Sequence, residues 1–394
     1  MSTVTSSGLA LFGAEPLFAQ CLPLGQRNFP SWPRYEAAFR DIFARQYYTN
    51  HGPLAQALEQ RLAQQLNVRH AMCVTTAGIG LALAAQALGL KGKVVVPALT
   101  YVGTAQSLAW ANLTPAFCDV SPDTGHITAD TVGPLLSDDV TGILGVNLWG
   151  SAFDVKGVSQ LAENRGVALY TDSSHGFACE IAGKPIGGFG RLEVISFHAA
   201  HILGAAEGAV MCTDDDDLAA HVRNIRSNYG SGRPVPVGKT SNGRLSEAQA
   251  AIALMNLDDM PELLARNQRL YDAYGAHLTD IPGLCMVAPA GVSKTNHESL
   301  ICRIDAEGFG LTRDALLATL AAENIEALGD HGIGSRRHEA ITAVPALPYT
   351  QRWCESVLQL PLGANMDEDI VERIAARIRL AQRHARAIAA KLGA

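Results

Sequence analysis

Short apolar runs and longer amphipathic runs alternate over the first 245 residues of the chain. The short runs are rich in β-branched residues and predict strands over 93–97, 114–120, 142–150, 167–172, 193–198 and 208–214. Between them, the spacing of apolar residues predicts helices over 78–90, 105–113 and 155–166. This alternation is typical of a mostly parallel sheet covered by helices, in which ligands bind at the carboxyl ends of the strands.

The pattern changes near residue 245. A Gly- and Pro-rich stretch over 228–243 precedes helical runs, a mixed segment and a long helical run close to the C-terminus. We therefore predict the α/β class with two domains: a large domain over 1–245, then a connecting helix and a small C-terminal α+β domain over 246–394. The length of 394 residues and the hydrophobic fraction of 48% suit two lobes.

Composition and charge exclude several classes of protein. The net charge is −7 and the basic residues are scattered, which argues against binding to nucleic acid or to an anionic membrane. The eight cysteines include no Cys-x-x-Cys pair, and the histidines and carboxylates show no ligand spacing, so we predict no metal site. Because neither a signal peptide nor a membrane span is apparent, we expect a cytoplasmic protein.

Residues able to bind an anion lie in the segment CVTTAGIGLAL, where a further strand ends over 75–78 and a helix begins. Thr76, Ala77 and Gly78 begin the next helix, where small residues and free N–H groups commonly hold phosphate. Tyr101 follows the strand over 93–97 and could stack on a planar ligand. The alternatives are an ordinary helix N-cap at Thr76 and simple packing at Tyr101.

Two further strands end in polar residues at the same predicted edge. Asp172 closes an apolar strand, and a buried carboxylate there needs a cation such as the protonated ring nitrogen of a pyridoxal group. His175 follows three residues later, and Ser196 ends the strand over 193–198, where its hydroxyl could bind phosphate. The alternatives are that Asp172 caps a turn beside a structural His175, and that Ser196 bonds to the backbone.

The order of these parts resembles the sugar aminotransferase family labelled DegT, in fold type I of the pyridoxal-phosphate enzymes. The resemblance extends over segments 47–63, 183–198, 206–230, 241–254 and 358–371. It implies that the large domain binds pyridoxal 5'-phosphate or pyridoxamine 5'-phosphate on a seven-stranded type of sheet. It assigns the phosphate to Thr76, Ala77, Gly78 and Ser196, the ring face to Tyr101, the ring nitrogen to Asp172 and the neighbourhood of the ring hydroxyl to His175.

The resemblance also implies partners for the chain. Family members are homodimers, so Asn242 of the segment SNGRL is expected to reach the phosphate bound by the partner subunit. The substrate implied is a keto sugar, nucleotide-linked in the usual case, with an amino donor such as glutamate. His331, Arg336, Arg337 and His338 could bind a nucleotide phosphate or a carboxylate, although a solvated loop is the favoured alternative for that segment.

One position departs from the family pattern. The family segment reads Ser-Phe-His-Ala-Thr-Lys and its lysine forms a Schiff base with the cofactor, whereas this chain reads SFHAAH and has His201 in that position. None of the seven lysines lies in the motif. Imidazole forms no stable Schiff base, but it exchanges protons near neutral pH. We therefore expect a cofactor held without a covalent bond, and His201, Asp172 and His175 as catalytic residues.

Three hypotheses for the activity stay open. The 3-dehydratases of nucleotide-linked 4-keto-6-deoxy sugars, such as GDP-4-keto-6-deoxy-D-mannose 3-dehydratase, carry the same replacement, so a dehydratase with His201 as general base ranks first. Those enzymes place a second histidine just before the reactive one, where this chain has Ala200. The second hypothesis is a sugar aminotransferase whose lysine has been replaced, naturally or deliberately. The third is a non-catalytic binding protein with the cofactor fold.

Overall fold

The computed structural model of the protein describes residues 8–227, 232–329 and 339–393. The strands of the large sheet are β1 (His70–Val74), β2 (Lys93–Pro97), β3 (Thr114–Cys118), β4 (Val140–Val146), β5 (Ala168–Asp172), β8 (Leu192–Ser196) and β9 (Ala209–Thr213), with the small hairpin β6 (Glu180–Ile181) and β7 (Lys184–Pro185) before β8. The helices around it are α1 (Trp32–Arg45), α2 (Pro53–Gln65), α3 (Ala77–Ala87), α4 (Val102–Trp110), α5 (Ala129–Val132), α6 (Val155–Arg165) and α7 (Asp216–Ile225).

The seven strands form one sheet in the order β1-β9-β8-β5-β4-β2-β3. Neighbouring strands from β8 to β3 run parallel, while β9 pairs antiparallel with both β8 and β1. Strand β1 therefore runs in the same direction as the parallel strands. The predicted α/β class with a mostly parallel sheet is confirmed, and the predicted strands and helices shift by a few residues at their ends. The carboxyl ends of β1, β2, β5 and β8 consequently meet at one edge.

Local sequence chemistry explains where the helices around this edge begin. Thr76 is the N-cap of α3, and its hydroxyl accepts a hydrogen bond from the N–H of Ile79 at 3.3 Å. The acidic run after β9 also caps a helix: Asp215 accepts hydrogen bonds from two N–H groups at the start of α7. Acidic side chains stabilise a helix start because they complement its positive end.

The C-terminal part contains helices packed on a small antiparallel sheet. Its elements are α8 (Glu247–Asp258), α9 (Met260–Leu278), β10 (Leu284–Met286), β11 (Leu300–Ile304), α10 (Ala306–Phe309), α11 (Arg313–Ala322), α12 (Pro348–Ser356), β12 (Val357–Leu360), α13 (Glu368–Arg383) and α14 (Ala385–Leu392). Leu9 and Leu22 from the N-terminal segment are buried in the core of this part. The division of the chain at residue 245 stays a prediction.

The large sheet is buried on both faces. One apolar core contains Val96 of β2 and Tyr170 of β5, and the other contains Val95 of β2 and Leu169 of β5. Such two-sided burial explains the continuous apolar runs that predicted these strands. Within the described residues, no helix has both the length and the apolar character that a membrane crossing requires.

A buried histidine between β3 and α5 makes the stability of the fold sensitive to acid. His126 is 4% exposed, and burial lowers its pKa to about 4. Below about pH 6.5 the His126 imidazole therefore binds a proton in the unfolded chain but not in the folded chain. The free energy of unfolding has its full value above that pH and decreases as the pH falls toward 4. We predict that His126 contributes about 2 kcal/mol to the loss of unfolding free energy between pH 7.5 and about pH 5. Urea unfolding at both values should show a smaller loss in His126→Asn, and an equal loss would contradict the prediction.

Candidate active site

The predicted site residues follow strands whose carboxyl ends lie at one edge of the sheet. Thr76 is the N-cap of α3, two residues after β1, and Tyr101 precedes α4 after β2. Asp172 and Ser196 are the last residues of β5 and β8, two strands that are neighbours in the sheet. The topology therefore brings together residues that are as much as 120 positions apart in sequence, counting from 76 to 196.

The start of α3 presents free hydrogen-bond donors. Ala77 and Gly78 occupy the first two helical positions, where a backbone N–H has no acceptor within its own helix. A Cβ placed on Gly78 would meet nothing within 4 Å, so space lies open beside this backbone. Donors of this kind at the positive end of a helix suit an anion such as a phosphate.

Asp172 is a buried carboxylate, only 5% exposed, at the end of β5. Its Oδ2 accepts a hydrogen bond from the Thr104 hydroxyl at 2.6 Å, and its Oδ1 accepts one from the Ser174 hydroxyl at 2.6 Å. Among the described residues no cationic side chain forms a salt bridge with it. A buried carboxylate is costly without a cation, so the site would gain stability from a positively charged ligand atom near Asp172.

The segment after β8 forms a tight loop. Ser196 is buried, and its Oγ accepts a hydrogen bond from the N–H of His198 at 3.1 Å. The N–H of His201 donates to the carbonyl oxygen of His198 at 2.9 Å, and the N–H of Ala200 donates to Nδ1 of His198 at 3.2 Å. These bonds fix the backbone that carries His201.

His201 lies between two other ionisable side chains. Its ring centroid is 5.0 Å from that of His175, and its Nδ1 is 3.2 Å from Oε1 of Glu298. The Glu298 side chain is 2% exposed and that of His201 is 14% exposed. Glu298 was not predicted, although the sequence offers the same kind of signal as at Asp172, an acidic residue beside an apolar strand. Only the fold brings it to His201.

His175 is held as a neutral imidazole. Its Nδ1 accepts a hydrogen bond from the N–H of Trp149 at 2.9 Å, so in the neutral ring the hydrogen is on Nε2. Burial lowers the pKa of His175 to about 4; the charge of Glu298 opposes this shift and that of His201 adds to it. An N–H donor at Nε2 is compatible with the expected place beside a ring hydroxyl.

The side chains of two predicted residues are exposed in this chain. Tyr101 is 59% exposed, and Asn242 is an exposed loop residue whose Oδ1 accepts a hydrogen bond from Arg244 at 2.5 Å. The same loop bonds to the residue just before the phosphate-binding candidate Thr76, because the N–H of Thr75 donates to the carbonyl oxygen of Gly243 at 2.9 Å. The role of Asn242 toward a partner subunit stays a prediction.

The residues present fit a pyridoxal-type group. They combine free N–H donors at a helix start, a hydroxyl at Ser196 and a buried carboxylate without a cation, which are the complements of a phosphate and of a protonated ring nitrogen. None of the seven lysines, all of them in the described ranges, has a hydrogen bond or salt bridge to Asp172, His175 or His201. His331, Arg336, Arg337 and His338, the substrate-binding candidates, lie outside the described residues.

The phosphate assignment can be tested at Thr76. We predict that Thr76→Ala weakens the binding of pyridoxamine 5'-phosphate by about tenfold, since a hydrogen bond to a charged group contributes about 1.5 kcal/mol or more. Fluorescence titration of the purified protein measures the dissociation constant. Thr312→Ala is the matched control, because Thr312 is also a helix N-cap, accepting from Ala315 at 3.2 Å, and its loss should weaken the fold alone. Equal affinity in both variants would remove Thr76 from the phosphate site.

Comparison with known proteins gives one consistent assignment. A model of the DegT/DnrJ/EryC1/StrS aminotransferase family matches residues 33–379. The dTDP-4-amino-4,6-dideoxy-D-glucose transaminase of Shigella dysenteriae is 28% identical over 370 residues, covering 90% of this chain and 97% of that protein. A crystal structure of DesI in the presence of its TDP-sugar product has a TM-score of 0.92 and 34% identity, covering 98% of this chain and 100% of that chain.

A structure of GDP-4-keto-6-deoxymannose-3-dehydratase (ColD) with bound GDP-perosamine is also similar. Its TM-score is 0.78 at 17% identity, with 90% of this chain and 100% of that chain covered. At this identity the likeness concerns the fold alone.

Proposed function

The chain belongs to the DegT/DnrJ/EryC1/StrS aminotransferase family, and from this premise we propose that it acts on a nucleotide-linked keto sugar with His201 as the group that moves protons. It is an enzyme with a pyridoxal-type cofactor, as the sequence predicted. When bound, that cofactor supplies an electron sink and, in its amine form, the nitrogen that condenses with a ketone. The observation that supports this proposal is the place of His201. Its Nδ1 lies 3.2 Å from the buried carboxylate of Glu298, in the loop that follows β8.

Each side chain contributes a separate task to this proposal. The helix start at Thr76–Gly78 and the hydroxyl of Ser196 bind the phosphate, while the charge of Asp172 holds the ring nitrogen protonated. His175 donates from Nε2 toward the ring hydroxyl, and Tyr101 lies against the ring. His201 accepts a proton from carbon and returns it, which an imidazole can do near neutral pH.

We place 3-dehydration of a 4-keto-6-deoxy sugar first among the outcomes. Because position 201 holds a histidine where the family pattern has a lysine, the amine would be supplied by the bound cofactor, and the C3 hydroxyl would leave as water. The products would be a 3-deoxy keto sugar, ammonia and the aldehyde form of the cofactor, whose amine form an amino donor such as glutamate would restore. Sugar amination is the second candidate, and the name of the transaminase relative from Shigella dysenteriae favours it.

Product analysis separates these outcomes. The purified protein is incubated with pyridoxamine 5'-phosphate and a TDP- or GDP-linked 4-keto-6-deoxy hexose, and the sugar products and ammonia are measured by mass spectrometry and an ammonia assay. A 3-deoxy keto sugar with equimolar ammonia supports dehydration, and an amino sugar without ammonia supports amination. Absence of both products and of cofactor absorbance would overturn an enzymatic role for the site.

The same proposal includes the oligomeric state of the protein and its location in the cell. We propose a homodimer in the cytoplasm, in which Asn242 completes the phosphate site of the partner subunit. The exposure of Asn242 supports this arrangement, because its side chain is accessible to a second copy, toward which it would exchange its hydrogen bond with Arg244. Light scattering and the affinity of Asn242→Ala for the cofactor test it.

A further inference from the structure

Glu298 holds one nitrogen of the His201 ring. A carboxylate accepts hydrogen bonds and donates none, so the contact of 3.2 Å between Oε1 and Nδ1 places the hydrogen on Nδ1 and leaves the lone pair on Nε2. We propose that Glu298 is a positioning residue: it fixes His201 in the tautomer and orientation in which Nε2 can accept a proton from the reacting carbon. The inference rests on the proposed function of His201 and adds the residue that makes it effective.

Both oxygens of Glu298 are used, which fixes the carboxylate plane. Oε1 accepts from His201, and Oε2 accepts from the N–H of Ile202 at 3.1 Å. Burial alone would raise the pKa of Glu298, but the hydrogen bonds from the His201 ring and from the Ile202 N–H oppose burial, and the pKa is lowered from its usual value. An ionised carboxylate at this place also stabilises the imidazolium that forms when His201 takes up a proton.

The N-terminal segment holds the two partners of this pair against each other. The Gln26 side-chain amide donates to the carbonyl oxygen of Glu298 at 2.8 Å, and the Gln26 backbone N–H donates to the carbonyl oxygen of Ala200 at 3.0 Å. Asn296 accepts from the Glu298 N–H at 2.9 Å and donates to the carbonyl oxygen of His175 at 3.0 Å. Gln26 and Asn296 are both fully or nearly fully buried. These hydrogen bonds join the N-terminal segment, the loop that carries His201 and the segment that carries Glu298. They therefore fix the backbone on both sides of the contact between Glu298 and His201.

His201, its partner Glu298 and the neighbouring His175 are also residue types that bind metal ions. His175, His201 and Glu298 each offer one ligand atom, and these atoms lie within 4.8 Å of one another. The hydrogen bonds favour a proton-transfer role, because a metal would have to displace the His201 N–H from the carboxylate, whose two oxygens both already accept N–H donors. Metal binding is therefore an outcome that the experiment must separate.

Imidazole nitrogen NMR tests the proposal without turnover. Protein labelled with ¹⁵N-histidine is recorded near neutral pH without substrate, and the His201 signals are assigned by their loss in His201→Asn. A protonated Nδ1 and an unprotonated Nε2 are expected. A ring protonated at Nε2 alone would overturn the proposal. Signals that change after treatment with a chelator would overturn it in favour of a metal site. Because the experiment needs no reaction, it can succeed even where the proposed activity fails.

Variants then connect the tautomer with activity. The amide of Glu298→Gln has one oxygen for two N–H donors, so the Ile202 N–H or the His201 ring loses its acceptor. We expect kcat to fall between about 10²- and 10⁴-fold with KM nearly unchanged, together with a mixed or inverted tautomer at His201. Glu298→Asp keeps a carboxylate and should restore part of both properties.

The matched control is Glu323→Gln in the C-terminal part. Glu323 is equally buried and accepts from two backbone N–H groups, of Ala10 at 2.8 Å and Leu17 at 2.9 Å, without contact to His201. Its loss should lower the thermal midpoint but leave kcat and the His201 tautomer unchanged. A loss of kcat in Glu298→Gln with the wild-type tautomer retained would overturn the positioning role.

Discussion

Replacement of His201 by asparagine should lower kcat by about 10²- to 10⁴-fold, the range that a positioned general base contributes. Asparagine keeps a donor near the place of Nδ1 and can still hydrogen-bond Glu298, but it has no counterpart of Nε2. The variant therefore removes the proton acceptor and leaves the buried carboxylate partnered. Steady-state kinetics with the keto sugar nucleotide measure the effect, and the affinity for pyridoxamine 5'-phosphate should change little.

The matched control uses the other histidine of the same loop. His198 accepts from the Ala200 N–H through Nδ1, and the side-chain oxygen of asparagine can accept that bond. His198→Asn should retain kcat within a few-fold of wild type. Equal losses in both variants would mean that the loop, and not the imidazole at 201, carries the effect. If His201→Asn remained fully active, the assignment of the base would be wrong.

The complementary variant His201→Lys tests the aminotransferase hypothesis. A lysine at this position should bind the aldehyde form of the cofactor covalently, so the cofactor should remain with the protein through gel filtration and be released by acid denaturation. If the scaffold is that of an aminotransferase, the variant should also form amino sugar. Retention without amination would favour a site shaped for dehydration.

Much of the large sheet was predictable because its strands are buried on both faces. Continuous apolar runs such as KVVVP specify a central strand directly, and each run ends where polar chemistry begins. Asp172 and Ser196 could be placed at the same edge because parallel strands present their carboxyl ends together, and β5 and β8 are indeed neighbours. The parallel direction of the strands therefore allowed separate motifs to be predicted as parts of one site.

Glu298 could not be predicted in the same way. It precedes β11 in the C-terminal part, 97 residues beyond His201, and no periodicity relates the two positions. Their contact depends on how the N-terminal segment around Gln26 packs between the loop after β8 and the segment before β11. In the sequence this contact is visible only as one acidic residue, and nothing there connects it with His201. The environment of His201 therefore had to come from the structure.

Replacement of Asp172 by asparagine should lower kcat by about 10²-fold, which corresponds to about 3 kcal/mol. An amide is nearly the same size as a carboxylate and can still bond the hydroxyls of Thr104 and Ser174, so the fold should persist. What it lacks is the negative charge that keeps a ring nitrogen protonated and thus makes the cofactor an effective electron sink. Turnover of the keto sugar nucleotide and the absorbance of the bound cofactor should both change.

Glu193→Gln provides the matched control for the loss of a buried carboxylate on this sheet. Glu193 lies on β8, fully buried, and accepts hydrogen bonds from the Ser173 hydroxyl and from the Phe189 N–H, the latter at 2.8 Å. Because its side-chain hydrogen bonds go to Ser173 and Phe189 and not to Asp172 or His201, its replacement should shift stability and leave kcat and the cofactor absorbance unchanged. Should both variants lose activity equally, the effect of Asp172 would be one of packing. If only Asp172→Asn loses activity, the loss comes from the missing negative charge beside the bound ring.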